Sequence, residues 1–194
     1  EVQIFLILGL TVLVIITEIF MADLILLLAP GFANTPDRLA AATNLARITM
    51  PYLPLISIVA LWASIANAHD HFKPGAVAPI IANICFIAGA VMIPFVASHQ
   101  DSLRAMPIAI ALVVAGFAQL IFVYRALSKL HSVPALIWPR ISDAGRKMWR
   151  NFMPAAVGAG GMQLNLLIDL ILASLLPVGA ISWLYYADRV AQLP

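Results

Sequence analysis

Charge is what this sequence has least of. Asp, Glu, Lys and Arg make up 10% of its 194 residues, against about a quarter in a soluble domain. With a mean hydropathy of +0.99, that excludes an ordinary water-soluble globule. A formal charge of only +2, with the basic residues bunched beside apolar runs, excludes a polymer-binding face, so no nucleic acid is expected as partner. A single cysteine, Cys85, excludes an internal disulfide, and its apolar surroundings predict a core position. No charged region precedes Phe5 and no small-residue cleavage site follows the first apolar stretch, so no signal peptide is expected in it. The sequence opens on Glu1 rather than Met and stops at Pro194 soon after a new apolar run begins, so both ends are expected to be cut from a longer protein. No nucleophile elbow, phosphate-binding loop or metal-binding helix motif occurs.

Apolar runs are what the chain has in abundance. The first extends from Val2 or Phe5 to Leu28 and stops at Pro30-Gly31, before a polar loop expected over Ala33 to Asn44. Further runs cover Ile48 to Ala66, Ala76 to Val96, Met106 to Val123 and Phe152 to Leu176, and a sixth starts near Ile181 after Pro177-Val-Gly179. Each complete run is near the roughly 20 residues needed to cross a bilayer as a helix. All are too long and too uniformly apolar for barrel strands. The fold class that follows is an all-α polytopic membrane bundle. Pro51 and Pro54 open the second run, Pro79 falls inside the third and predicts a kink, and Pro154 opens the fifth. Asn83, one turn from Pro79, is a polar group available to cap the carbonyls freed there. Ala155, Ala156, Gly158, Ala159, Gly160 and Gly161 permit close helix contact in the fifth run.

Lys73, Arg125, Lys129, Arg140, Arg146, Lys147 and Arg150 fall on one side of these spans, and Arg38 and Arg104 on the other, with Arg47 and Arg189 in or beside spans. Seven against two makes the first side cytoplasmic. The long connection over Lys129 to Arg150 holds Leu136, Ile137, Trp138, Ile141, Met148 and Trp149 among its charges, and Val133 to Trp149 is expected to lie in the interface as a short amphipathic segment.

A few polar residues sit at membrane depth. Asp169 has six apolar neighbours between Leu166 and Leu172, and an ionised carboxylate there costs several kcal/mol, on the order of the intramembrane penalty, unless paired, hydrated or ion-bound. Asn165 is one turn earlier and Gly158 near the same azimuth, so the stripe is expected to face the protein interior. It reads as a cation or proton site, as a contact to a polar substrate, or as a structural carboxylate bonded to a neighbouring helix. In the sixth run Ser182, Tyr186 and Arg189 share one helical face, while Tyr185, Asp188 and Gln192 share the next. Arg189 stays charged at any relevant pH and can grip a phosphate bidentately, although an interfacial aromatic belt with an adjacent charge pair explains the same residues. Glu18 and Asp23 are read as a solvated helix end. His69-Asp70-His71 reads as a solvated loop, because no second ligand cluster accompanies it.

The stretches Arg47-Ile-Thr-Met-Pro51-Tyr-Leu, Asn67-Ala-His-Asp-His-Phe72-Lys-Pro74-Gly-Ala-Val-Ala-Pro79-Ile-Ile-Ala-Asn83, Gln163-Leu-Asn165-Leu-Leu-Ile-Asp169-Leu-Ile-Leu-Ala173-Ser174 and, most specifically, Gly179-Ala-Ile-Ser182-Trp-Leu-Tyr-Tyr-Ala-Asp188-Arg189-Val-Ala-Gln-Leu-Pro194 resemble the MviN/MurJ family of lipid II flippases, in order and at suitable spacing. The resemblance implies a two-lobed, fourteen-helix exporter fold. Residues 1–127 would be N-lobe helices three to six, 128–150 a cytoplasmic basic amphipathic connection, and 151–194 helix seven with the start of eight. It implies a multi-pass protein of the bacterial cytoplasmic (inner) membrane that is no enzyme. Its role would be to move the undecaprenyl-pyrophosphate-linked peptidoglycan precursor from the inner to the outer leaflet by alternating access. Its partners would be membrane lipids, lipid II and possible cell-wall synthesis proteins.

By the same resemblance Arg189, Asp188, Ser182 and Tyr186 contact the headgroup in the cavity, Asp169 and Asn165 are the cation-site candidates, and Pro79 and Asn83 are the kink or gating positions. No cofactor is implied beyond a possible Na⁺ or H⁺ coupling ion. A polysaccharide-lipid or drug exporter of the same superfamily is the nearer alternative. A polyprenyl-phosphate membrane enzyme holding Mg²⁺ would need clustered acidic residues, and Asp37, Asp70, Asp101 and Asp143 are scattered. A scaffold subunit binding through the basic loop is the remaining class.

Overall fold

The computed structural model describes residues 2–96, 104–134, 143–177 and 179–191. In chain order these form α1 (Val2–Ile19), α2 (Met21–Leu28), a 3-10 turn (Pro30–Asn34), α3 (Pro36–Thr49), α4 (Tyr52–Ala68), α5 (Lys73–Val96), α6 (Met106–Lys129), α7 (Asp143–Ser174) and α8 (Ala180–Ala191). Among the described residues there is no strand. Among the described residues five stretches are long and apolar enough to cross a membrane: Val2–Ile19, Pro36–Ala68, Lys73–Phe95, Met106–Lys129 and Gly145–Ser174. The all-α polytopic membrane class is therefore borne out. Large apolar side chains such as Leu8, Val12, Ile84, Ile87 and Phe95 stand exposed, as residues do when the surrounding medium is itself apolar.

Several element boundaries differ from the sequence reading. The first run is two helices, parted at Phe20 (φ −100°, ψ 23°), with Leu24 N–H still donating to the Phe20 carbonyl at 2.9 Å. The expected loop Ala33 to Asn44 is helical from Pro36 onward. Pro36 suits a first helical position, Asp37 in the first turn complements the helix dipole, and Ala40, Ala41, Ala42 and Ala46 favour helix whatever their polar neighbours do. Likewise α7 begins at Asp143, so Arg146, Lys147 and Arg150 ride on its first turns and Pro154 lies inside it rather than opening it. The rest of the segment expected in the interface, Leu136, Ile137, Trp138, Arg140 and Ile141, lies outside the described residues, as do Ser98 to Leu103, Gln192 and Pro194.

The chain divides into two compact units, residues 1–19 with 44–141, and residues 20–43 with 142–194. The core of the first unit is Val59, Trp62 and Ala66 of α4, Ala78 of α5, and Val123 and Leu127 of α6, with the Trp62 and Tyr124 rings 5.9 Å apart. Gly89 of α5 lies against Ala111 of α6. Polar cross-links join these helices to one another, and α1 to α3 and α4. Gln119 of α6, 2% exposed, donates to the Ala78 carbonyl at 2.7 Å and accepts from the Tyr52 hydroxyl at 3.4 Å. The Trp62 indole donates to Gln3 Oε1 at 3.3 Å, and Arg47 Nε faces Glu18 Oε2 at 3.8 Å. Cys85 is half-buried and lines an apolar groove of about 410 Å³ between α5 and α6, not the core expected for it.

In the second unit the turn after α2 meets the end of α7. Gly31 N–H donates to Ser174 Oγ at 3.2 Å, and that hydroxyl donates to the Ile171 carbonyl at 2.7 Å. A Cβ at Gly31 would collide with the Ser174 carbonyl, so only glycine lets the two backbones approach this closely.

Candidate functional site

The residues singled out for substrate and cation lie on α7 and α8. The turn between these helices depends on Gly179, whose φ of +101° is the left-handed region that glycine enters without penalty. The Trp183 ring covers the space where a Cβ would stand, 3.3 Å away. With Ala180 N–H bonded to the Pro177 carbonyl at 3.1 Å and Trp183 N–H to the Gly179 carbonyl at 2.9 Å, the turn launches α8 back beside α7. The two helices enclose a groove of about 420 Å³ lined by Asp169, Ala173, Leu176, Trp183, Leu184 and Ala187 among others, in which Asp169 is the one charged side chain.

The stripe expected to face inward, Gly158, Asn165 and Asp169, is exposed in this chain, and no side chain stands where a Cβ at Gly158 would be. An acidic group open on an otherwise apolar groove is free to take a cation, a proton or a hydrogen-bond donor from outside the described residues.

On α8, Arg189 donates from Nε to the Tyr185 hydroxyl at 3.2 Å, and its guanidinium carbon stands 5.1 Å from the centre of the Tyr185 ring. The Tyr185 and Tyr186 rings meet edge-on at 6.1 Å. The residue one turn back from Arg189 is thus its partner, rather than Tyr186 on the expected shared face. Aromatic contact holds the guanidinium without neutralising it, so the cation stays available to an anion. Ser182, Tyr186, Asp188 and Arg189 are all exposed, Asp188 is itself engaged in an interaction, and none of the four lines the groove that holds Asp169. One helical hairpin therefore carries both the acidic and the basic candidates, at separate places.

Pro79 and Asn83 lie on α5 of the other unit, both exposed. The side-chain amide that meets the backbone beside Pro79 comes from Gln119 across the helix interface. Gln119, Tyr52, Gln3, Glu18 and Arg47 went unnoticed in the sequence as interacting residues. The signal available was that each is a polar residue in or beside an apolar run, without the register that says which one it meets. His69, Asp70 and His71 are exposed, and among the described residues no group of three or more His, Cys, Asp or Glu could hold a metal ion.

Comparison with known proteins gives the same picture over the whole length. The family model described as lipid II flippase MurJ matches residues 1–194. A probable lipid II flippase MurJ of Buchnera aphidicola subsp. Acyrthosiphon pisum is 36% identical over 187 residues, 95% of this chain and 35% of that protein. One of Rickettsia prowazekii is 34% identical over 194 residues, 99% of this chain and 37% of that protein. The lipid II flippase MurJ of Burkholderia cenocepacia is 33% identical over 174 residues, 86% of this chain and 32% of that protein. The chain thus spans about a third of the length of these relatives. A model match from first residue to last, on five stretches able to cross a membrane, leaves one assignment: this chain belongs to the lipid II flippase MurJ family, as a multi-pass segment of the bacterial cytoplasmic membrane.

Proposed function

We propose that the full-length protein carrying this chain moves lipid II from the inner to the outer leaflet by alternating access. The physical task is to keep a doubly charged diphosphate and its sugar–peptide headgroup out of hydrocarbon while the polyprenyl tail stays in it. The observation that carries the reading is Arg189, a permanent cation exposed on α8 and held in place by Tyr185 at 3.2 Å. In this reading Arg189 takes the diphosphate through charge-assisted hydrogen bonds. Asp188, Ser182 and Tyr186 contact polar parts of the headgroup. Asp169, with Asn165 one turn away, offers oxygen donors to a coupling Na⁺ or a carboxylate to a coupling proton, the remaining ligands coming from other parts of the protein. Pro79 and Asn83 supply a flexible point in α5. In this reading residues 1–127 are N-lobe helices three to six of the whole protein, 128–150 a basic connection in the cytoplasm, and 151–194 helix seven with the start of eight. No covalent bond is made or broken.

The test is lipid II export by the full-length protein with Arg189→Ala and, separately, Asp169→Ala. Arg189→Ala is expected to lower export roughly tenfold or more, the worth of one charge-assisted contact. Asp169→Ala is expected to abolish the dependence on the coupling ion gradient. Unchanged export in both variants, at normal protein levels, would remove these residues from the mechanism.

A further inference from the structure

The seam between α1 and the α3–α4 run carries two polar contacts and nothing else charged between them. At one end Gln3 accepts from Trp62, and at the other Glu18 pairs with Arg47 at 3.8 Å. Glu18 lies fifteen residues after Gln3, and Arg47 fifteen residues before Trp62. Gln3 and Glu18 both lie on α1, which sets the contacts roughly 22 Å apart at 1.5 Å per residue, most of a hydrocarbon core of about 30 Å. Trp62 lies on the side from which α4 runs on to Lys73, the side that the basic residues mark as cytoplasmic. The Glu18–Arg47 pair therefore stands at the outer-leaflet margin.

This pair lacks the form of a structural clasp. The Arg47 side chain is 48% exposed and that of Glu18 31%, and they meet through Nε and one carboxylate oxygen at 3.8 Å. A bidentate guanidinium–carboxylate fork closes to about 2.8 Å. Nε carries one of the five N–H donors of a guanidinium, so the terminal nitrogens remain for a second anion. At that depth the abundant anions are the phosphates of lipids, and a guanidinium matches their geometry.

We propose that Arg47 is a docking point for a lipid-borne phosphate at the outer-leaflet margin, with Glu18 holding the guanidinium and competing with the phosphate for it. The inference needs the membrane placement of α1 and α3 and not the transport reading. The phosphate belongs either to a glycerophospholipid or to a polyprenyl diphosphate.

Native mass spectrometry of the full-length protein in a non-ionic detergent decides the matter, with phosphatidylglycerol added to one set of samples and undecaprenyl diphosphate to another. A tryptophan-fluorescence melt of each variant reports folding. Arg47→Gln is expected to lower lipid adducts roughly tenfold, Arg47→Lys to lower them less, and Glu18→Gln to raise them. A competitor predicts opposite signs for the two partners, whereas a structural ion pair predicts the same sign. Equal losses in Glu18→Gln and Arg47→Gln, or no change in either, would overturn the proposal. Should Arg47→Gln fail to fold, Arg47→Lys and Glu18→Gln still carry the test by their signs. Loss confined to one of the two lipids identifies the source of the phosphate.

Discussion

Inside a bilayer a lone amide on an apolar helix has to find its partners within the protein, and Gln119 finds two. It ties α6 to α5 through the Ala78 carbonyl and to α4 through Tyr52. Hydrogen bonds between membrane helices are worth about 0.6 kcal/mol on average, with a maximum near 1.7. The short 2.7 Å bond at a residue 2% exposed belongs at the upper end, and the 3.4 Å bond from Tyr52 at the lower. Gln119→Leu, close in volume, is therefore expected to cost about 1 kcal/mol and Tyr52→Phe a few tenths, read as the thermal midpoint of the full-length protein in detergent. A larger loss from Tyr52→Phe would reverse the ranking. At this scale the sequence was half legible. Asp169 and Arg189 stand out because charges are scarce in such runs. The partners of Glu18 and of Gln119 did not, because a pair becomes visible only once two helices are set in register, and hydropathy holds no information about register.

Helix interiors were legible and helix ends were not. The expected start of the fourth run at Met106 is the observed one, and the sixth begins at Ala180 rather than near Ile181. The misplaced ends, at Pro36 and Asp143, are polar stretches that remain helical, since leaving the hydrocarbon removes the need for apolar side chains but not the backbone preference for helix. Two other ends use a cap that sequence patterns assign to glycine. After α4, Asp70 takes φ +59°, with Asp70 N–H bonded to the Asn67 carbonyl at 3.0 Å and His71 N–H to Ala66 at 2.9 Å. After α6, His131 takes φ +51°, with its N–H on Ser128 at 3.2 Å and Ser132 N–H on Leu127 at 3.2 Å. Both are Schellman closures with a side-chain-bearing residue in the left-handed position. This gives His69-Asp70-His71 a structural reason, the end of a helix. A left-handed residue other than glycine costs about 1 kcal/mol, less for Asp, which tolerates the region. Asp70→Gly and His131→Gly are both expected to raise the thermal midpoint, His131→Gly by more. A fall in either would mean that the side chain makes a contact worth more than the relieved strain.

Across the membrane, the features at the helix ends sort by side. Where the chain leaves its first and fifth spans, it meets itself through Gly31 and Ser174, which odd-numbered spans require to be one face. The Schellman caps at Asp70 and His131 end the second and fourth spans, beside Lys73 and near Arg125 and Lys129, which is the other face. The α1 seam, from the Gln3–Trp62 hydrogen bond to the Glu18–Arg47 ion pair, then runs from the basic face to the sparsely charged one. The positive-inside rule makes the basic face cytoplasmic, and cysteine labelling of the full-length protein tests the assignment. Cys85→Ala, with every cysteine outside this chain likewise replaced, removes the background thiols, and Asn34→Cys or His71→Cys then places one thiol at a position exposed on each face. In spheroplasts a membrane-impermeant maleimide is expected to label the thiol at position 34 directly and the one at position 71 only after permeabilisation. The reverse pattern would invert the orientation, and with it the leaflet assigned to Arg47. Labelling of both without permeabilisation would break the alternation of spans on which the whole topology rests.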